Sequence, residues 1–95
     1  IALKPDYVPA LFQIGVLHYE AGRTEKAQEV LEQAVRISPD YANALYFLGL
    51  VYEKQGNHAD ALVQFERVLQ LNPENAEIKK IMEDIRAGGS VPKKK

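Results

Sequence analysis

A chain of 95 residues, 46% hydrophobic and 26% charged, holds the material for one small domain, which excludes a multidomain enzyme and an intrinsically disordered chain. Twelve Lys and Arg stand against 13 Asp and Glu, a formal net charge of -1, so no overall positive field exists to hold a phosphate backbone and nucleic acid is not an expected partner. Cysteine is absent, which excludes disulfides, thiolate metal sites and thiol chemistry, and no apolar run approaches the roughly 18 to 20 residues of a membrane span.

In chain order, residues 1–7 read as the tail of a preceding helical unit. The chain starts Ile1-Ala2-Leu3-Lys4-Pro5, with no initiating Met and no signal-peptide pattern, and is expected to be cut from a longer protein. From Val8 onward the apolar residues follow about 100° per residue, which sets Leu11, Ile14, Gly15 and His18 on one core-facing side of a first helix. Gly22 can take the left-handed conformation in which helices commonly end. A second helix follows, with Thr24 as expected N-cap, Glu25 at the positive end of its dipole, and Ala27, Val30, Leu31, Ala34 and Val35 as its apolar face. Ser38-Pro39-Asp40 joins a capping side chain to a proline whose missing N–H costs nothing in a first turn, and is expected to start the next helix.

The pattern then returns with Leu45, Leu48, Gly49 and Tyr52, the terminating Gly56, the second apolar set Ala61, Phe65, Val68 and Leu69, and Asn72-Pro73-Glu74. A last helix is expected from about Glu74 to Ala87, stopped by Gly88-Gly89. Ile78, Ile81, Met82 and Ile85 form a single stripe on it, while Glu77, Lys79, Lys80, Glu83, Asp84 and Arg86 cover the rest, as suits a helix that closes a stack. Residues 90–95 are left as a flexible basic tail.

Prolines at positions 5, 39 and 73 are 34 residues apart, and the same interval separates Ala10 from Ala44, Leu11 from Leu45, Gly15 from Gly49, Gly22 from Gly56, Ala27 from Ala61 and Glu32 from Glu66. Ile14 with Leu48, Leu31 with Phe65 and Ile37 with Leu71 are conservative pairs at that spacing. Two full repeats result, at 8–41 and 42–75, followed by a capping helix at 76–89. These residues resemble the tetratricopeptide repeat family, whose pattern runs from a large residue through Leu-Gly and Tyr to Ala, Phe and Pro. The first copy supplies Leu11, Ile14-Gly15, His18, Ala27, Leu31 and Pro39; the second supplies Leu45, Leu48-Gly49, Tyr52, Ala61, Phe65 and Pro73. The resemblance implies an all-α solenoid of antiparallel helix pairs, about five helices in a right-handed superhelix, whose first helices line a concave groove for a peptide or partner helix.

Helical geometry places Phe12, Gln13, Val16 and Glu20, with Asn43, Tyr46, Phe47, Leu50 and Lys54, opposite the core faces and on that groove; Tyr19 and Glu53 border it. Apolar side chains grouped on one outward face mark a binding surface. The family's Lys, Asn and Arg clamp on a C-terminal carboxylate is absent, Asn43 being the only matching type, so an apolar or amphipathic segment of a protein partner fits better, anchored by aromatics and set in register by Gln13, Asn43, Glu20 and Lys54. The bland alternative is that the capping helix covers part of this face. A competing function is self-assembly into homo-oligomers through the uncapped N-terminal face, marked by Tyr7, Val8 and Ala10, or by helix exchange.

Catalysis is not expected. His18 and His58 are far apart in sequence, and no catalytic, cofactor-binding or metal-binding set stands out. Glu25, Glu29 and Glu32 read as a solvated acidic face, with Glu32 and Arg36 spaced as a modest ion pair. The compartment is open, the cytoplasm being the default expectation.

Overall fold

The computed structural model describes residues 7–88, and these form five helices: α1 (Tyr7–Glu20), α2 (Thr24–Ile37), α3 (Ala42–Lys54), α4 (His58–Leu71) and α5 (Ala76–Arg86). The expectations for residues 1–6 and 89–95 lie outside the described part. α1 pairs with α2 and α3 with α4; α2 packs on α3, α4 on α5, and α1 touches α3. The result is an elongated stack, 44 × 29 × 21 Å.

Two turns close as the glycines require. Gly22 and Gly56 have φ of 82° and 81°, and the following amides reach back, Arg23 N–H to His18 O at 2.9 Å and Asn57 N–H to Tyr52 O at 2.8 Å. This six-residue closure satisfies carbonyls that the helix end leaves free.

The proline turns behave differently from expectation. Ser38 and Asn72 do not start helices: they are the C-caps of α2 and α4, and their carbonyls accept the amides of Tyr41 and Asn75 at 3.1 Å. Pro39 and Pro73 therefore sit in the second place of four-residue turns, where a φ fixed near −65° is favoured. α3 and α5 begin only after those turns, and the cap of α5 is Asn75, whose Oδ1 accepts Ile78 N–H at 3.1 Å. Thr24 is likewise the first residue of α2 and not its N-cap; Arg23 holds that place without a side-chain hydrogen bond.

One core runs through the stack. Leu31, Leu45, Val51, Phe65, Ile78 and Met82 are its largest fully buried side chains. The whole stripe of α5, Ile78, Ile81, Met82 and Ile85, is buried. Gly15 and Gly49 let the paired helices meet: a Cβ on Gly15 would stand 2.6 Å from Leu31 Cδ2, and one on Gly49 would stand 2.7 Å from Phe65 Cζ. Ile14 departs from its expected core place and is 44% exposed, whereas its counterpart Leu48 is 2% exposed. The physical reason is a missing neighbour: α2 lies over the leading face of α3, and no described element lies over that of α1.

Candidate protein-interaction surface

The first helices of the two pairs, α1 and α3, lie side by side, and their outward aromatics interlock before they can meet anything else. Phe47 is the hub. Its ring meets Phe12 at 5.6 Å, Tyr19 at 5.8 Å and Tyr46 at 5.4 Å, each edge to face, and Tyr46 reaches on to Phe65 at 6.1 Å. Edge-to-face pairs at these distances are favourable beyond the area they bury. Phe12, Tyr46, Phe47 and Leu50 are consequently half-buried and packed on the core, while Gln13, Glu20, Asn43 and Lys54 are exposed and Val16 is half-buried.

Two hollows remain on this side. The first, about 390 Å³, is lined by Phe12, Gln13, Val16, Leu17 and Phe47 and is almost wholly apolar. The second, about 340 Å³, lies where α5 joins, among Asn43, Tyr46, Asn72, Asn75, Glu77 and neighbours. There the Tyr46 hydroxyl donates to Glu77 Oε2 at 3.5 Å; burial first, and the Glu77 carboxylate second, push that phenol above its ordinary pKa. At the far end Lys54 Nζ stands 5.0 Å from the centre of the Tyr19 ring, a cation–π distance, and burial raises the Tyr19 pKa. Both phenols stay neutral at neutral pH.

Of the residues expected on the groove, Phe12, Gln13, Val16 and Phe47 thus share one hollow, Asn43 and Tyr46 share the other, and Leu50, Glu20 and Lys54 line neither. Leu17 was missed. It is 63% exposed, and the signal that marks it is the repeat, since Val51 is apolar at the matching position. Of the expected oligomer face only Ala10 is exposed: Val8 packs on the core, and the Tyr7 hydroxyl lies 3.4 Å from Gln33 Nε2.

Polar groups also moved inward. Glu32 does not pair with Arg36: its Oε2 accepts the Tyr52 hydroxyl at 2.5 Å and Gln28 Nε2 at 2.9 Å, and Gln28 in turn accepts Gln55 Nε2 at 2.8 Å, a ladder that joins α2 to α3. Burial, then the Glu32 bond, raise the Tyr52 pKa well above that of a free tyrosine. Glu53 is only 6% exposed, with Oε1 2.8 Å from His58 Nδ1. Among the described residues no group of three His, Cys, Asp or Glu is placed to hold a metal ion, and no helix is long and apolar enough to cross a membrane.

The comparisons agree with this architecture. No curated protein matches the chain. Among solved structures, the crystal structure of MamA is similar at a TM-score of 0.82 and 25% identity, over 85% of this chain and 47% of that one, so the chain spans about half the length of that relative. The family model for the tetratricopeptide repeat matches residues 12–77. With most of α1 and all of α2, α3 and α4 inside that match, and the glycines of each pair at the points of closest approach, the chain belongs to the tetratricopeptide repeat family of protein-interaction scaffolds.

Proposed function

We propose that the chain is a non-catalytic interaction module that holds an apolar or amphipathic segment of a partner protein on the α1–α3 surface. The observation that supports it most is the apolar hollow between Phe12, Val16, Leu17 and Phe47: a shallow depression edged by two aromatic rings gives an apolar side chain a partly desolvated seat, the kind of feature that concentrates binding energy in few residues. Gln13 at its edge is exposed and can set orientation, and Lys54 farther along is exposed beside the Tyr19 ring. Phe12, Tyr46 and Phe47 also hold the molecule together, so Val16 is the better residue to change. Selection of a random peptide library on the chain should return segments with spaced apolar residues, and Val16→Glu should weaken their binding about tenfold or more, the loss of one buried apolar contact plus a desolvated charge. Undiminished binding by Val16→Glu, with helical circular dichroism retained, would reject this site.

A further inference from the structure

The stack has two junctions, α1–α2–α3 and α3–α4–α5, built at the same repeat positions and finished differently. The first has Pro9, Phe12, Ser38, Tyr41 and Asn43, and Tyr41 covers it with a ring 5.8 Å from that of Phe12. At the matching places 34 residues on, the second has Asn43, Tyr46, Asn72, Asn75 and Glu77, and the hollow of about 340 Å³ stays open among them. Asn75 is too short to do what Tyr41 does. Beside it a proline has become Asn43, a phenylalanine has become the phenol Tyr46, and a carboxylate, Glu77, has entered. An apolar closure already serves the fold at the first junction, so the polar lining of the second points to something outside the chain.

The charge of that lining is negative. Glu77 is its one charged residue, and among the described residues no cation pairs with it: Lys80 faces Asp84 at 3.7 Å, Arg86 faces Glu66 at 4.0 Å, and Arg67 donates to Pro39 O at 3.1 Å. The Tyr46 hydroxyl reaches Glu77 Oε2 only at 3.5 Å, long for an O–H donor, so the carboxylate keeps most of its capacity to accept. The helix amides that open here are already met, that of Ile78 by Asn75 Oδ1 and those of Ala44 and Leu45 by Tyr41 O. The end of α4 at Asn72 adds the negative pole of a helix.

We infer that this hollow is a seat for an arginine side chain of the bound partner segment, an inference that rests on the α1–α3 surface holding such a segment. The guanidinium fork meets the Glu77 carboxylate, its flat face lies on the Tyr46 ring, and its other N–H groups reach the side-chain oxygens of Asn43 and Asn72. Lysine brings a point charge with no plane to stack, so arginine is the better occupant. Tyr46 packs edge to face on Phe47 at 5.4 Å, and this pair joins the polar seat to the apolar hollow. The partner is thereby an amphipathic segment with arginine at a set distance from its apolar anchor.

N-acetyl-arginine amide and its neutral isostere N-acetyl-citrulline amide test the seat directly. In low salt the arginine probe should move the side-chain amide signals of Asn43, Asn72 and Asn75 saturably at millimolar concentrations, and the citrulline probe should leave them in place. Glu77→Gln should weaken arginine binding about fivefold or more; Glu77 is exposed, so its helical circular dichroism should be unchanged. Equal responses to the two probes, no response to arginine, or undiminished binding by Glu77→Gln overturns the inference. Library peptides selected on the parent chain should carry arginine at a constant distance from an apolar residue, and those selected on Glu77→Gln should not; parent-selected peptides without that arginine overturn it as well. Val16 does not line this hollow, so Val16→Glu leaves the probe response intact and the two readings fail separately.

Discussion

α1 and α3 carry the same apolar pattern and differ in environment. Ala44, Leu48 and Val51 are sealed, whereas Ala10, Ile14 and Leu17 meet solvent; α3 buries seven residues and α1 buries only Gly15. Along these faces the residue types hardly differ, so the difference belongs to the neighbours: α3 lies between α2 and α4, whereas among the described helices none covers the corresponding face of α1. In a stacked repeat, stickiness is written into every copy, but burial is conferred by the copy before it.

The sharpest way to break that comparison is to shave the same position in both helices. Leu48→Ala should cost about 2–5 kcal/mol by opening a cavity between α2 and α3, and Ile14→Ala below about 1 kcal/mol, because solvent already reaches it; equal losses in urea unfolding would mean the two faces are equally packed. Next come the glycines. Gly49→Ala drives a methyl into the rigid ring of Phe65 and should cost about 1–3 kcal/mol even after the gain of about 1 kcal/mol that alanine brings to a helix. Gly15→Ala meets Leu31 as closely, but α1 can recede on its open side, so its thermal midpoint should fall less.

The smallest and most specific contrast is polar. Tyr52→Phe removes the bond to Glu32 and should cost about 1–3 kcal/mol, as expected for a hydrogen bond to a charged group; His18→Phe, losing only an exposed contact with Arg23, should cost less. The pH dependence tells them apart. Because the folded-state pKa of Tyr52 lies above its unfolded value, its contribution is complete below about pH 10 and is lost as pH rises beyond that, since unfolding then allows ionisation. Unfolding free energy measured through this alkaline range should drop more steeply in the parent chain than in Tyr52→Phe; parallel curves would exclude Tyr52 as the cause.

What could be read early was whatever a helix decides for itself. The 34-residue interval, the helical period and the left-handed glycines after α1 and α3 predict two hairpins, and the stripe of α5 names all four residues it buries. The caps were misplaced because Ser38-Pro39-Asp40 suits both a helix start and a turn, and the choice falls to the bond between Ser38 O and Tyr41 N. The candidate surface was half legible: the outward direction of Phe12, Val16 and Phe47 follows from the wheel, but their mutual stacking, and the share of Tyr46 taken by Glu77, need two helices at a fixed distance.

Sequence by itself determined the repeat, the helices and the face each would bury, because these depend on residue spacing within one or two turns. Tertiary structure decided that Glu32 leaves the solvated face for Tyr52, that Glu53 is enclosed beside His58, and that Leu48 and Val51 are sealed between described helices while Ile14 and Leu17 are not. Each of those outcomes depends on which helix lies next to it, and water is excluded only where two surfaces meet.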